Sequence, residues 1–437
     1  MSEANVISLT DDPFVSHYSA AKDSLPGADL GWVSDLRAKN IALYGQSGLP
    51  TPRVEDWKFT NLNLLNKQNF ALSSAANTAE VPFALEADKT LRIAFVEGRF
   101  SAEQSSKNWP AGVSLESFAA ALEKGDESLN EELTREHHKG DTPLVALNTA
   151  LMTDGFVLTI AAGTELEETI EIVHLGSQSA ELSWHSRNVI RAGEKSRATI
   201  LERIVDSSES AYFANTATTV VVGDEARLHH YRVQAANSAA FLISHTRASV
   251  GKSACYDSFI LNTGARLARN DIAVRLEAEQ SSCHINGAYM ADGDQHSDIT
   301  THIDHLVPNT TCDEVFKGVL AGKSRGVFQG KIVVHQDAQK TVGNQSNRVL
   351  LLSETAEVDA KPELEIFADD VICSHGCTSG QMDDTQLFYM QARGLSKETA
   401  QRLLVQAFLS EAVEEMQNEE LQDFFFALIE EWLAQQA

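Results

Sequence analysis

A long central region, residues 86–382, sets the strongest limit on the fold, because short runs of alternating apolar and polar residues follow one another through it. Three of these runs carry the apolar residues Leu91, Ile93 and Phe95; Phe156, Leu158 and Ile160; and Ile272, Val274 and Leu276. Such alternation is typical of β-strands with one buried face. The runs are separated by short turn signals, and no helical segment between them is long enough for a βαβ crossover. The pattern predicts a mainly β region and disfavours a doubly wound sheet.

Periodicity alone leaves three β architectures open for this region. A large sandwich, a jelly roll and a solenoid of stacked turns all consist of short strands and tight turns. A solenoid is expected to show a repeat of fixed length, and no such repeat stands out in the sequence.

The two ends of the chain have a helical pattern instead. Residues 1–85 are predicted to form an N-terminal helical region, since Trp32, Val33, Leu36 and Leu43 recur at helical spacing. Residues 383–437 are predicted to form a C-terminal helical domain, with Ser396 as the N-cap of its main helix. The apolar stripe predicted for that helix is Ala400, Leu403, Leu404, Ala407 and Phe408, and the stripe predicted for the last helix is Leu421, Phe424, Phe425, Leu428, Ile429, Trp432 and Leu433.

Charge and cysteine content restrict the partners and the compartment. The 437 residues include 35 basic and 62 acidic side chains, a net charge of -27, which would repel nucleic acid and anionic membrane surfaces. No apolar segment has the length needed to cross a bilayer, and no secretory leader is readable, so a cytoplasmic location is expected. Five cysteines are few for a chain of this size, and an odd number cannot all pair within the chain. A disulfide framework is therefore not expected, and reduced thiols are predicted.

Enzyme motifs are missing from the sequence. The triplets Gly251-Lys252-Ser253 and Gly322-Lys323-Ser324 are reminiscent of a phosphate-binding loop, but the first glycine that such a loop needs would fall on Thr246 and Lys317. No nucleophile elbow, dinucleotide fingerprint or zinc-protease helix occurs. The chain is therefore predicted not to be an enzyme.

One short run carries metal-binding chemistry. In Cys373-Ser374-His375-Gly376-Cys377, an extended backbone would place the two thiols and the imidazole on one face. Thiolate and imidazole suit zinc, iron and iron–sulfur species. A bend at Gly376 would remove Cys377 from this face, so Cys377 is the least secure of the three candidates. A second grouping, His302, His305 and Cys312, matches no structural zinc spacing and is a weaker candidate.

Several segments resemble the SufD family of the SUF iron–sulfur cluster assembly system. The most specific is 367–383 with the following Leu387-Phe-Tyr-Met-Gln-Ala-Arg-Gly394. Others are Phe328–Lys331, Gln345–Asn347, Leu350–Glu354, Ala360–Glu365, Gly48–Thr60 and Thr301–Thr311, so the resemblance extends over the whole chain. It implies a right-handed parallel β-helix core between helical ends, and subunits of like fold that pair edge to edge.

The resemblance also implies partners and site residues. The expected partners are SufB, which carries the nascent cluster, and SufC, an ATPase that docks on the C-terminal helices. SufC contacts are expected at Phe388, Tyr389, Arg393 and Gly394. Cys373 and His375 match family residues implicated in cluster assembly near the SufB interface, whereas Cys377 stands where a small residue is usual.

The function implied is that of a scaffold subunit, which aids iron acquisition and cluster formation at the SufB interface. No permanently bound cofactor is expected, only transient iron or an iron–sulfur cluster held together with SufB; a homodimer is a further expectation. Two alternatives from other classes are a β-helical carbohydrate-active enzyme and a stand-alone metal-binding protein.

Overall fold

The computed structural model describes residues 12–74, 78–126, 128–134, 143–178 and 181–435. The helices are α1 Pro13–Ala21, α2 Gly31–Ser47, α3 Phe118–Glu123, α4 Ser128–Thr134, α5 Pro143–Leu151, α6 Asp384–Ala392, α7 Lys397–Val413 and α8 Gln422–Gln435. Within these ranges, no helix is both long enough and apolar enough to cross a membrane.

The strands are short and follow one another closely along the central region. They are β1 Ala71–Leu72, β2 Thr90–Val96, β3 Arg99–Phe100, β4 Val113–Ser117, β5 Phe156–Ile160, β6 Thr169–Leu175, β7 Leu182–Ala192, β8 Arg197–Val205, β9 Tyr212–Val222, β10 Arg227–Ala235, β11 Phe241–Val250, β12 Cys255–Asn262, β13 Leu267–Leu276, β14 Ser282–Ala291, β15 His296–His305, β16 Thr311–Leu320, β17 Arg325–Val334, β18 Val342–Leu351, β19 Glu357–Ile366 and β20 Ile372–Gln381.

Pairing of the strands confirms a mainly β fold and selects the solenoid among the three architectures. Odd-numbered strands from β5 to β19 form one parallel sheet, here sheet A, and even-numbered strands from β6 to β20 form a second, here sheet B. Each turn of the chain adds one strand to each sheet, which gives a parallel β-solenoid of about seven turns between N-terminal and C-terminal helices. The parallel β-helix implied by the resemblance is thus confirmed.

The space between the two sheets is the main core. Alternate residues of each strand point into it, such as Ile299 and Ile303 on β15 and Phe328 and Ile332 on β17, all of them fully buried. Parallel strands are in register, so each inward side chain lies beside its counterpart on the next turn. The turns differ in length, since Phe241 pairs with a residue 26 positions on, Leu267, whereas Arg325 pairs with a residue 32 positions on, Glu357.

Helices α7 and α8 cover the outer face of sheet B. The Phe425 ring packs edge-on against Phe259, with ring centroids 5.1 Å apart, and Phe425 is fully buried. Ser396 caps α7 as predicted, because its hydroxyl accepts a hydrogen bond from the Thr399 amide at 3.1 Å. The predicted α7 stripe is partly wrong: Leu403 and Ala407 are exposed, and the buried residues of this helix are Ala400, Val405, Leu409, Ala412 and Val413. Two apolar stripes overlap on α7, and packing on the sheet selects one of them.

The N-terminal landmark Gly48–Thr60 runs along the outer face of sheet A. Trp57 is fully buried, and the Arg269 guanidinium lies 4.1 Å from the centre of its ring. Arg269 also donates to the Asp298 carboxylate at 2.6 Å. Further along, Lys361 of β19 donates to Glu55 at 3.0 Å. The landmark therefore fastens the N-terminal region to the last turns of the solenoid.

Helix α3 begins directly after a strand. Val113–Ser117 form β4, which pairs antiparallel with β5. Only Phe118 and the residues after it are helical, with Ser117 as the N-cap. The alternation of this segment is too short to separate a strand from a helix without its pairing partner.

Candidate functional site

The candidate site lies at the C-terminal end of the solenoid. Among the described residues, β19 pairs with β17 alone and β20 pairs with β18 alone, so the far edge of each strand has unpaired backbone groups. The corner between these two strands exposes apolar side chains, with Phe367 62% and Ile372 71% accessible. An open strand edge beside exposed apolar residues is suited to pairing with another chain.

The structure brings the three predicted metal-binding residues together on β20. The strand is unbroken at Gly376, which stays in register with Ser346 of β18, so Cys373, His375 and Cys377 alternate along one face. Both cysteines are half-buried and pack against the core, whereas His375 is exposed. The face that they share is the inner face of the last turn, which is open to solvent because no further turn covers it in the described part of the chain.

Both thiols are directed towards the preceding strand, β18. Partial burial raises the pKa of the Cys373 thiol above its ordinary value, and the backbone amide of Gly343 opposes this change. The pKa of the Cys377 thiol is raised in the same way, with the opposing contact from the backbone of Asn347. A raised pKa favours the protonated form of both thiols at neutral pH.

A column of small and sulfur-bearing residues runs beneath Cys373. Register places Cys283, Cys312, Gly343 and Cys373 side by side on β14, β16, β18 and β20. A Cβ atom at Gly343 would lie 3.3 Å from the Cys312 sulfur and 3.5 Å from the Cys373 sulfur, so even a methyl group here would be in tight contact with the sulfurs. The inner part of the column is closed to solvent, because Cys283 and Cys312 are buried; the Cys312 sulfur lies 3.2 Å from Nε2 of buried His305.

The weaker candidate set, His302, His305 and Cys312, does not form one site. His305 and Cys312 meet inside the core, where burial lowers the pKa of His305 to about 4. His302 lies on the opposite face of β15, with its Nε2 3.4 Å from the Asp304 carboxylate. Alternation along the strand separates the two histidines, since their positions differ by an odd number.

A second column runs beneath His375. Glu314 of β16 is in register with Gln345 of β18, which is in register with His375. Gln345 Nε2 donates to Glu314 Oε2 at 2.6 Å, and both residues are buried. Burial raises the pKa of the Glu314 carboxyl to about 7, although the hydrogen bond from Gln345 opposes this change. The imidazole at the open end thus lies next to a buried amide and carboxyl pair.

The three candidate residues on β20 do not surround a common point. Same-face neighbours on a strand are about 7 Å apart, so Cys373, His375 and Cys377 lie side by side rather than around one point. In the described part of the chain, no group of three or more His, Cys, Asp or Glu side chains is arranged to hold a metal ion. The sulfur and nitrogen donors on this face are ligand types that suit soft or borderline metal ions.

The residues predicted to contact SufC lie directly after this strand. Asp383 caps α6 by accepting the Thr385 amide at 2.8 Å, and only Met382 separates this cap from β20. Phe388 and Tyr389 on α6 are 71% and 56% exposed. Arg393 packs its guanidinium 4.3 Å from the centre of the Tyr389 ring, and Gly394 follows with φ +94°, a conformation that ends the helix and favours glycine.

Sequence analysis missed the residues beneath the site, namely Gly343, Gln345, Asn347 and Glu314. One signal in the sequence could have indicated them. Gln345 and Asn347 are polar residues at alternate positions of β18, on the face that would be apolar in an ordinary core strand. The segment Gln345–Asn347 was noted only as part of the family resemblance. The partner of Gln345, residue 314, is 31 positions away and has no local pattern in common with it.

The architecture and the site together define a class: a parallel β-solenoid whose open terminal strand bears two thiols and an imidazole. Residues 9–172 match the family model for the SufBD protein N-terminal region, and residues 174–408 match that for the SUF system FeS cluster assembly, SufBD core domain. The chain therefore belongs to the SufBD family of iron–sulfur cluster assembly proteins.

Individual relatives agree with this assignment and confirm the resemblance read from the motifs. The iron–sulfur cluster assembly protein SufD of Escherichia coli is 28% identical, over 88% of this chain and 89% of the relative. A SufBD family protein of Synechocystis is 30% identical, over 86% and 85%. SufD of Bacillus subtilis is 26% identical, over 91% and 93%. A chloroplastic protein of Arabidopsis thaliana is 26% identical, over 94% and 89%.

Proposed function

We propose that this chain is a non-catalytic scaffold subunit of a complex with SufB and SufC that assembles iron–sulfur clusters. The observation that carries the proposal is the position of Cys373, His375 and Cys377 on the inner face of a terminal strand whose outer edge pairs with no other described strand. A partner that extends the solenoid would bring its own ligands to these donors. Iron and sulfide are the cargo of such a site rather than its resident cofactor.

The SufB-binding surface is the open end of the solenoid. A chain of like fold could add its strands to β19 and β20, which would satisfy their free backbone groups and cover Phe367 and Ile372. In isolation, the same edges allow a second copy of this chain to pair there. Formation of the complex therefore buries the site residues between two subunits.

The SufC-binding surface is the C-terminal helical region around α6. Phe388 and Tyr389 are large exposed rings, the residue type that is enriched at the centres of interfaces. Because α6 follows β20 after a two-residue connection, a movement of docked SufC would act directly on the strand that carries the site. This connection links ATP-driven motion of SufC to the SufB interface.

Family membership favours this proposal over the carbohydrate-active and stand-alone metal-binding alternatives. A cytoplasmic location fits the five free cysteines. The direct test is to co-express the tagged chain with SufB and SufC, isolate the complex, and measure stoichiometry, iron and sulfide. A three-protein complex that acquires iron and sulfide is expected. A folded chain that binds neither protein would refute the proposal.

The role of the site is tested with His375→Ala in that complex. The variant is expected to fold and to bind SufC as the wild type does, but to lower iron and sulfide content, since it removes one donor from an exposed position. Ser374→Ala is the matched control, because Ser374 points to the other face of the same strand. Its hydroxyl donates a hydrogen bond to Asn344 Oδ1 at 2.9 Å. Wild-type iron content in the His375→Ala complex would remove His375 from the site.

A further inference from the structure

The side chain of Gln345 is fixed at one end and unsatisfied at the other. Its Nε2 donates to Glu314 Oε2 at 2.6 Å, and the same nitrogen occupies the space that a side chain at position 330 would need, since a Cβ at Gly330 would lie 2.2 Å from it. The Oε1 atom is buried and has no hydrogen-bond partner among the described residues. A buried amide oxygen without a donor is uncommon in folded proteins and calls for a specific explanation.

The planar amide of Gln345 turns its oxygen away from Glu314. The amide is planar, and its nitrogen faces Glu314 on the preceding strand, so its oxygen lies on the side away from β16. The next residue in the column on that side is His375, in register on β20 about 5 Å further along. The exposed imidazole makes no hydrogen bond of its own within the described ranges, so no contact holds its two side-chain bonds in one rotamer.

We propose that Gln345 is a positioning residue for His375: its Oε1 accepts one imidazole N–H, which turns the other ring nitrogen, with its lone pair, towards the open end of the solenoid. A histidine that binds a metal through one ring nitrogen commonly donates a hydrogen bond from the N–H of the other to a fixed acceptor. This hydrogen bond sets the tautomer and the ring orientation. Glu314 fixes the acceptor in turn, because its Oε2 accepts a hydrogen bond from the amide nitrogen and so favours one of the two flipped orientations of the amide. The inference rests on the proposed function only for what the outward nitrogen then binds.

The tautomer of His375 can be measured in the full-length chain without any partner. In protein labelled with ¹⁵N at histidine, the two ring-nitrogen shifts are widely separated for one fixed tautomer and converge when two tautomers exchange. The His375 signal is identified by its absence in His375→Asn. One fixed tautomer is expected in the wild type, and averaged shifts are expected in Gln345→Leu.

Two further variants separate positioning from loss of packing. Gln329→Leu is the matched control, because Gln329 is also a buried glutamine, but its Nε2 donates to the Asp56 carbonyl at 3.1 Å, away from the column. The double variant Glu314→Gln with Gln345→Glu exchanges the two groups, so that the new amide donates to the new carboxylate and the carboxylate accepts from His375. The control and the exchange are expected to keep the fixed tautomer. Averaged shifts in the wild type, or a fixed tautomer in Gln345→Leu, would overturn the proposal.

The effect of Gln345 on iron binding is measured as the iron content of the complex with SufB and SufC. Loss of a fixed acceptor beneath a metal-binding histidine typically lowers metal affinity by about 10- to 100-fold, so Gln345→Leu is expected to lower iron content and the exchange variant to restore it. If His375→Ala lowers iron and Gln345→Leu does not, the positioning role is wrong. If His375→Ala leaves iron unchanged, the proposed function of the site fails, while the tautomer result still decides the role of Gln345.

Discussion

Replacement of Glu314 by glutamine should change how the stability of the protein depends on pH. The carboxyl is buried beside Gln345, and burial raises its pKa from the ordinary value of 4.5 to about 7 in the folded chain. Below pH 4.5 the group is protonated in both folded and unfolded chains. Between the two pKa values only the unfolded chain loses the proton, so the folded state loses stability as pH rises, until both states are ionised above pH 7.

The magnitude follows from the two acid constants. Each pKa unit between the folded and unfolded chains corresponds to about 1.4 kcal/mol. The rise in the pKa of Glu314 from 4.5 to about 7 therefore corresponds to about 3 kcal/mol of unfolding free energy. Most of it, about 2.5 kcal/mol, is lost between pH 5 and pH 8. Glu314→Gln has nearly the same shape and no titrating group. The variant should therefore gain about 2.5 kcal/mol over the wild type when the pH is raised from 5 to 8.

Urea unfolding followed by tryptophan fluorescence at pH 5, 6, 7 and 8 measures this difference. All other titrating groups are present in both proteins, so their contributions cancel in the comparison. Glu354→Gln is the control, because Glu354 is exposed. If the curves of wild type and Glu314→Gln stay parallel between pH 5 and pH 8, the carboxyl does not titrate there and the account of the buried column is wrong.

Two other predictions concern the C-terminal helices and the thiols. Phe425→Ala removes a fully buried ring that packs on Phe259, so we expect a loss of about 3–5 kcal/mol and faster amide hydrogen exchange throughout α8; unchanged exchange in α8 would contradict this packing. Cys373 and Cys377 should be alkylated by iodoacetamide slowly at pH 7 and faster as pH rises, because the pKa of each thiol is raised, whereas buried Cys312 should stay unmodified in the folded chain. Peptide mass spectrometry measures all three rates, and equal labelling of Cys312 would refute the burial argument.

Part of the site could be predicted because its signal is local. The spacing of Cys373, His375 and Cys377 gives the chemistry, and alternation along an extended strand gives the common face. Whether Gly376 would interrupt that face was open from the sequence. Pairing with Ser346 on β18 keeps the strand straight, so the decisive contact came from a residue 30 positions away.

The columns beneath the site could not be predicted in the same way. Glu314, Gln345 and His375 come together because strands one turn apart lie in register, and the length of each turn sets that register. Turn length varies from 26 to 32 residues, as in the pairs Phe241–Leu267 and Arg325–Glu357, so no fixed repeat marks which residues become neighbours. The same variation hid the solenoid from a search for periodicity.

The sequence by itself determined the local elements of this protein: short alternating strands through the centre, helices at both ends with Ser396 as a cap, and a run of sulfur and nitrogen donors near the end of the strands. Only the tertiary structure decided that the strands stack as a parallel solenoid, that the donor run lies on its open terminal strand, and that an amide and a carboxyl lie beneath the histidine. The physical reason is that strand formation depends on nearest neighbours along the chain, whereas stacking depends on contacts between residues about 30 positions apart.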